Sequence, residues 1–335
     1  MTPPRKHTGL ARALRRFTID RYLLLIVAMV ALASVLPARG EAAVAAGWAT
    51  KVFIGLVFFL HGARLSREAV VGGLIHWRLH LVVLASTFVL FPLLCLGAAA
   101  LPAAITPPAL AAGLIFLGCL PSTIQSSIGF TVIARGDVPA AVASASASNL
   151  IGIFLTPLLV SVFLHAQGMA ISADQAWAIL LQLLAPFLAG QVLRRWIGEW
   201  VTHNARWLSR VDRGSILLVV YTAFSGAVVE GVWSKLDALD LLRLVVLCAL
   251  ILALVLAATV VAARAIGFVK EDEIAIVFCG SKKSLASGAP MAGVLFPPAA
   301  AGLAMLPLMV FHQIQLMACA VIAQRYAARP ESPAS

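Results

Sequence analysis

Long apolar stretches separated by short polar segments make up almost the whole chain. Ten of these stretches are long enough, as helices that rise about 1.5 Å per residue, to cross a hydrocarbon core about 30 Å thick. They lie near residues 21–37, 48–64, 79–101, 107–134, 139–164, 175–196, 212–232, 241–267, 272–296 and 299–323. The pattern predicts an all-α polytopic membrane protein with ten transmembrane helices, and it leaves almost no chain for a soluble domain.

The composition agrees with a protein whose main partner is the lipid bilayer. Hydrophobic residues make up 61% of the chain and charged residues only 12%, about half the share that is usual in soluble domains. The formal net charge of +11 could indicate a nucleic-acid partner. However, the basic residues lie in short segments between the apolar stretches and do not line one face, so we expect no nucleic acid.

The distribution of Lys and Arg predicts the orientation in the membrane. Of the 25 basic residues, 19 lie in alternate segments, namely 1–21, 64–78, 135, 194–213, 264–270 and 325–329, whereas the intervening segments hold four. By the positive-inside rule both termini are cytoplasmic, which requires an even number of spans. We therefore expect a basic cytoplasmic N-tail at 1–20, a cytoplasmic C-tail at 326–335 and a location in a bacterial inner membrane.

Two of the apolar stretches are interrupted near the middle. In the fourth, "CLPSTIQSS" places a proline before a polar patch, and in the ninth, "CGSKKSLASGAP" places a polar patch before a glycine and a proline. Such breaks persist in a membrane only where protein or a watery cavity surrounds them. The residues expected to break the two helices are Pro121, Gly280, Gly288 and Pro290.

The positions of the two breaks suggest an internal repeat. A pair of Gly/Pro-interrupted spans at equivalent places in two halves is typical of secondary transporters. The fourth and ninth spans are each the fourth of a group of five, and an odd number of spans per repeat gives the halves opposite orientations. We therefore predict inverted five-helix repeats over residues 21–164 and 165–325.

The ninth span carries Lys282 and Lys283 about 14 Å of helix rise from its start, near the middle of the hydrocarbon core. A charged side chain there costs about 2.5–3.5 kcal/mol on insertion scales. If the lysines lay in a loop and the ninth span began at Leu285, this cost would be avoided, but the remaining span would be too short to cross the membrane. We expect the lysines to face a cavity, where they could offset helix carbonyls, bind an anionic solute or carry a proton.

Other polar residues inside the apolar stretches are candidates for the same site. Each has a structural alternative, since Ser and Thr often bond to carbonyls four residues earlier and small residues pack helices closely. A histidine in the tenth span could titrate near neutral pH or only bond a neighbouring helix. The candidates are Gln125, Ser126, Ser127, Ser144, Ser148, Asn149, Ser281, Ser284, His312, Gln313 and Gln315.

The sequence gives little support to an enzymatic function or to a bound cofactor. The "SKKS" segment could be interpreted as a Ser–Lys nucleophile pair, but the chain contains no HExxH, GxSxG or Walker A motif. The five cysteines lie inside apolar stretches without metal-ligand spacing. We therefore expect a protein that is not an enzyme and holds no cofactor, with Na⁺ as a coupling ion only in the alternative below.

Four segments resemble a known family. "FCGSKKSLASGAPMA", "PLMVFHQIQLMACAVIAQ", "RLHLVVLASTFVLFPLL" and "FFLHGARLS" are similar to the SBF-like branch of the bile acid:sodium symporter superfamily. The resemblance implies ten transmembrane helices in two inverted five-helix repeats, which form a panel domain and a core domain. In the core domain the broken helices 4 and 9 cross.

The resemblance also implies a set of ion ligands. In the bile-acid symporters a Ser-Asn pair, hydroxyls of the fifth helix and a Glu with a following Gln on the ninth helix hold sodium. The Ser-Asn pair matches Ser126 and Ser127, and the fifth-helix hydroxyls fall near residues 144–149. Val277 stands where the Glu would be, and Ser281 stands where the Gln would be. Lys282 stands where the symporters have a neutral Asn.

The missing carboxylate and the added ammonium change the expected ion coupling. An ammonium and a sodium ion repel each other at close range in a low-dielectric site. Our hypothesis is a secondary transporter of a small organic, anionic solute in which Lys282 or Lys283 replaces sodium, so that transport is sodium-independent or proton-coupled. A sodium-coupled organic-anion symporter with displaced ligands and a non-transporting membrane regulator remain alternatives.

Overall fold

The computed structural model describes residues 21–64, 76–166, 173–231 and 236–329, and all regular structure in this part of the chain is helical. The predicted N-tail at 1–20 and residues 330–335 of the predicted C-tail at 326–335 lie outside these residues. The helices are α1 (Arg21–Val35), α2 (Gly40–Arg64), α3 (Trp77–Ala99), α4 (Pro108–Cys119), α5 (Gln125–Ile133), α6 (Val138–Ala166), α7 (Ala173–His203), α8 (Ala205–Val229), α9 (Ala238–Ile266), α10 (Lys270–Gly280), α11 (Leu285–Leu295) and α12 (Pro298–Ala327).

Within the described residues, six helices are long and apolar enough to cross a membrane, namely α2, α3, α6, α8, α9 and α12. Two shorter helices, α1 and α4, are also apolar. The all-helical, strand-free architecture of the described residues agrees with the predicted polytopic membrane protein.

The segment between the predicted sixth and seventh spans differs from the expectation. Residues 197–211 were expected to form a loop, but α7 continues to His203 and α8 begins at Ala205. Val201 and Leu208 are buried against Leu60 and Ala63 of α2. The end of α7 and the start of α8 are therefore amphipathic. The spans were predicted from continuous apolar runs, which do not reveal a helix with a single apolar face.

Helices α2 and α7 approach each other at a reciprocal pair of glycines. A Cβ atom added to Gly62 would collide with the carbonyl oxygen of Phe187, and one added to Gly190 would collide with the carbonyl oxygen of Phe59. Only residues without a side chain allow the backbones to come so close. The glycines therefore fix the contact between these two long helices.

Both predicted breaks are present, and they meet. Helix α4 ends at Cys119 and α5 begins at Gln125, while α10 ends at Gly280 and α11 begins at Leu285. The backbone N–H of Ser284 in one break donates a hydrogen bond of 2.9 Å to the carbonyl oxygen of Pro121 in the other. Pro121 and Gly280 thus mark the breaks as predicted.

Gly288 and Pro290 do not belong to the break, and this part of the prediction is wrong. Both lie inside α11, where the N–H of Gly288 continues the helix by bonding the carbonyl of Ser284 at 2.9 Å. A Cβ at Gly288 would collide with the side chains of Leu120 and Leu308. This glycine allows close packing, which composition alone does not separate from helix breaking.

Helix α3 contains a π-helical turn at Ser86–Leu90. The N–H of Phe91 bonds the carbonyl of Ser86, and the amide that would reach the carbonyl of Thr87 in the same i to i+5 pattern belongs to Pro92. Proline has no N–H. The turn therefore leaves the Thr87 carbonyl available to a donor from another helix.

Candidate functional site

The C-terminal carbonyls of α10 are paired by serine hydroxyls. A helix end leaves its last carbonyls without partners inside the helix. Ser127 donates to the carbonyl of Phe278 at 2.9 Å, and Ser86 donates to the carbonyl of Gly280 at 2.8 Å. Two further donations run from Ser122 to the carbonyl of Cys279 and from Ser281 to that of Val277. The polar patches therefore close the break that the sequence opens.

The matching carbonyls of α4 use different donors. Thr156 donates to the carbonyl of Cys119 at 2.8 Å, and the amide of Asn149 donates to the carbonyl of Ser122 at 2.7 Å. The carbonyls of Gly118 and Leu120 accept from a lysine. One break is thus closed by hydroxyls, and the other is closed by a hydroxyl, an amide and a cation.

That cation is Lys283, whose side chain is fully buried. Its Nζ donates hydrogen bonds of 2.7 Å to each of three carbonyl oxygens, those of Thr87, Gly118 and Leu120, and it lies 4.2 Å from the ring centre of Phe91. A lysine ammonium has three N–H donors, so this set uses all of them. We call the three carbonyls and the ring the carbonyl cage.

Lys282 is equally buried but is held differently. Its Nζ donates 2.9 Å to the carbonyl of Ser126 and lies 3.9 Å and 5.2 Å from the ring centres of Phe130 and Phe278. Aromatic faces attract cations, more strongly where water is excluded. Only one carbonyl among the described residues accepts from this ammonium, so it retains donors for another partner.

A glutamine on α12 holds the backbone between the lysines and α11. The N–H of Lys283 donates to Oε1 of Gln315 at 2.8 Å, and Nε2 of Gln315 donates to the carbonyl of Lys283 at 2.9 Å. Nε2 also lies 2.8 Å from Nδ1 of His312, which accepts if the glutamine amide donates. Gln313 is half-buried, and among the described residues it is not part of this network.

The fifth-span candidates fall into two groups. Ser148 accepts from the N–H of Ser122 at 3.0 Å, and Oδ1 of Asn149 accepts from the hydroxyl of Ser287 at 2.7 Å. Asn149, which also bonds the carbonyl of Ser122, therefore links the first break to the start of α11. Ser144 lies away from them and pairs with Nδ1 of His80 on α3 at 2.6 Å.

The start of α5 is the exposed edge of the site. Gln125 is exposed, and Ser126 is half-buried with its hydroxyl 2.6 Å from that of Thr123. Ile124 beside them and Ala286 at the start of α11 are also exposed. The N-terminal ends of both short helices, α5 and α11, thus carry exposed residues.

The charges near the site are unbalanced. Within the part of the chain that the structure describes, neither Lys282 nor Lys283 forms an ion pair, and no cluster of His, Cys, Asp or Glu is suited to a metal ion. The nearest carboxylate along α10, Glu273, is buried and already bonds Arg264, Lys270 and Tyr326. The two ammonium groups are therefore offset by carbonyl dipoles and aromatic rings.

Sequence reasoning missed several partners in this network. Ser86, Thr87, Ser122 and Thr156 all contribute to the two breaks, although only Ser122 lies in a patch that the sequence marked. Pro92, five residues after Thr87, was the one local signal for a free carbonyl in the third span.

Two interrupted helices that meet among buried polar groups define a class of integral membrane transport proteins. The chain belongs to the SBF-like CPA transporter family, whose family model matches residues 20–328.

Similar proteins support the same assignment. The chain is 59% identical over 324 residues to "Uncharacterized protein PA2026" of Pseudomonas aeruginosa, covering 96% of both chains. It is 51% identical over 313 residues to "Putative symporter YfeH" of Escherichia coli K12, covering 93% of this chain and 94% of the relative. It is 26% identical over 326 residues to "Sodium/bile acid cotransporter 7" of Xenopus tropicalis, covering 94% and 92%.

Proposed function

We propose that this integral membrane transporter is a secondary active carrier of a small organic anion, working by alternating access around the two helix breaks. One observation carries the proposal, namely that both breaks are buried except at Ile124, face each other and are closed by polar groups from α3, α6 and α12. Interrupted helices are costly in a membrane. Their burial among polar groups fits a transport site.

The packing pattern supports ten spans arranged as two inverted repeats. Helix α2 packs on α7 while α1 packs on α8, and α4 packs beside α3 as α10 packs beside α9. If the first five spans are equivalent to the second five, α1 corresponds to α7, α2 to α8, α3 to α9 and α4 to α10. The α2–α7 contact is then equivalent to the α1–α8 contact, and the α3–α4 contact to the α9–α10 contact.

The exposed edge at Gln125 is the proposed place of entry for the solute. The N-termini of α5 and α11 carry partial positive charge, and Lys282 lies behind them with donors to spare. This electrostatic setting favours an anion. The Xenopus relative is named for sodium and a bile acid, and for this chain we propose only the class of organic anion.

A lysine ammonium takes the place of the coupling sodium in this proposal. Val277 offers no carboxylate to a metal ion, and Lys283 already fills a set of carbonyl oxygens with a cation. Fixed positive charge beside the breaks repels a second cation at low dielectric. Transport is therefore sodium-independent, with a proton as the coupling ion that remains available.

Alternating access can be tested without knowing the solute. We expect a cysteine at Gln125→Cys to react with a membrane-impermeant maleimide from both sides, in right-side-out and in inverted vesicles. The five native cysteines are buried and give little background. Glu41→Cys and Arg325→Cys are matched exposed controls, and we expect each to react from one side only, the two sides being opposite.

Labelling of Gln125→Cys from a single side, with both controls behaving as expected, would contradict alternating access. It would favour a membrane regulator that keeps the fold but does not transport.

A further inference from the structure

We infer that the carbonyl cage is a binding site for a monovalent cation of the size of ammonium or potassium, which the chain fills with its own Lys283. The inference rests on the proposal that a lysine replaces the coupling ion, and it names the atoms and the ligand class of that exchange. The inference predicts that the stability of a variant without the Lys283 side chain depends on which monovalent cation is present, whereas the stability of the natural protein does not.

The geometry around Nζ is that of a coordinated ion. Three carbonyl oxygens lie at the same distance of 2.7 Å, and the ring of Phe91 covers the group at 4.2 Å. Rings of backbone carbonyls that replace a hydration shell are the basis of cation selectivity in channels. An aromatic face adds attraction for a cation in a water-free site.

The cage is built by features that do not depend on the lysine. The Thr87 carbonyl is freed by the π-helical turn and by Pro92, and the carbonyls of Gly118 and Leu120 are the unpaired end of α4. The Phe91 ring is held edge-on by Phe311, with 5.6 Å between ring centres. We therefore expect the oxygens to stay in place when the ammonium is absent.

The chemistry of the oxygens selects the ion. All three are neutral carbonyls, whereas divalent ions such as calcium are bound with the help of carboxylates. Oxygens spaced for an ammonium suit potassium or free ammonium better than sodium, which holds its ligands closer. The end of α4 adds partial negative charge from its dipole.

The test is the melting temperature of Lys283→Ala in chloride salts of potassium, ammonium, sodium and N-methylglucamine at equal ionic strength. A cation that binds only the folded state raises the melting temperature in proportion to the logarithm of its concentration. We expect a rise of a few degrees in potassium and ammonium over sodium and N-methylglucamine. The wild-type protein and Lys282→Ala are the matched controls, and we expect neither to discriminate among the four salts.

Two variants keep the outcome decisive. If Lys283→Ala is recovered folded only when extracted in potassium or ammonium, the inference also stands, whereas equal melting temperatures in all four salts, or no folded protein in any of them, overturn it. Lys283→Met fills the cage without a charge, so salt-specific stabilisation of this variant would also overturn it. The maleimide labelling of Gln125→Cys is made in a protein that retains Lys283. Its result therefore tests the transport proposal separately from the inference about the carbonyl cage.

Discussion

Lys283→Met is expected to lower the free energy of unfolding by about 3 kcal/mol or more, because it takes the hydrogen-bond donor from three buried carbonyls at once. The substitution leaves an unbranched side chain that is one heavy atom shorter, and the carbonyls of Thr87, Gly118 and Leu120 lose their donor. Each unsatisfied buried acceptor costs about 1–3 kcal/mol. Thermal unfolding of the detergent-purified protein measures the effect.

Lys282→Met is the matched control for this loss. Both lysines are buried side by side, but Lys282 bonds one carbonyl and contacts two rings that a methionine also packs against. We expect its melting temperature to fall clearly less than that of Lys283→Met. Equal effects would show that the three-carbonyl set has no special role in the fold.

Gly62→Ala and Gly190→Ala are expected to have the second large effect on stability. The added methyl group would overlap a backbone carbonyl of the facing helix in each case, and a backbone yields less readily than a side chain. The helices α2 and α7 must separate, which costs packing along their whole contact. We expect a large drop in melting temperature for both variants, because both substitutions disturb the same contact between α2 and α7.

Gly55→Ala provides the comparison on the same helix. A Cβ at Gly55 meets nothing within 4 Å, and alanine is favoured over glycine inside a helix by up to about 1 kcal/mol. We therefore expect unchanged or slightly raised stability. If Gly62→Ala were as harmless as Gly55→Ala, the close approach of α2 and α7 would not exist.

The breaks could be predicted from the sequence because their causes are local. Pro121 lacks a donor, and the "GSKKS" patch interrupts an apolar run, so both positions were visible without tertiary structure. Polar residues inside a membrane span are also easy to recognise in the sequence, because the rest of the span is apolar. The polar patches of the fourth and ninth predicted spans face each other in the structure, as expected if these two spans cross.

The remaining features depend on groups far apart in the chain. Nothing near Lys283 indicates that its ammonium reaches Thr87, 196 positions earlier, or that Lys282 instead meets aromatic rings. Sequence matching aligned Lys282 with the neutral Asn of the symporters and left both lysines as candidates for the sodium replacement, whereas the carbonyl cage holds Lys283. Gly288 was assigned to a break because glycine serves both flexible and closely packed positions, and only the neighbouring Leu120 and Leu308 distinguish the two.

The central claim is that a tethered ammonium occupies the place of the coupling ion. The most direct test is the melting temperature of the wild-type protein in sodium and in potassium at equal ionic strength, because an ion that binds only the folded state raises it. We predict the same melting temperature in both salts. A sodium-specific rise would contradict the claim, since it would mean that a sodium site is present beside the lysines.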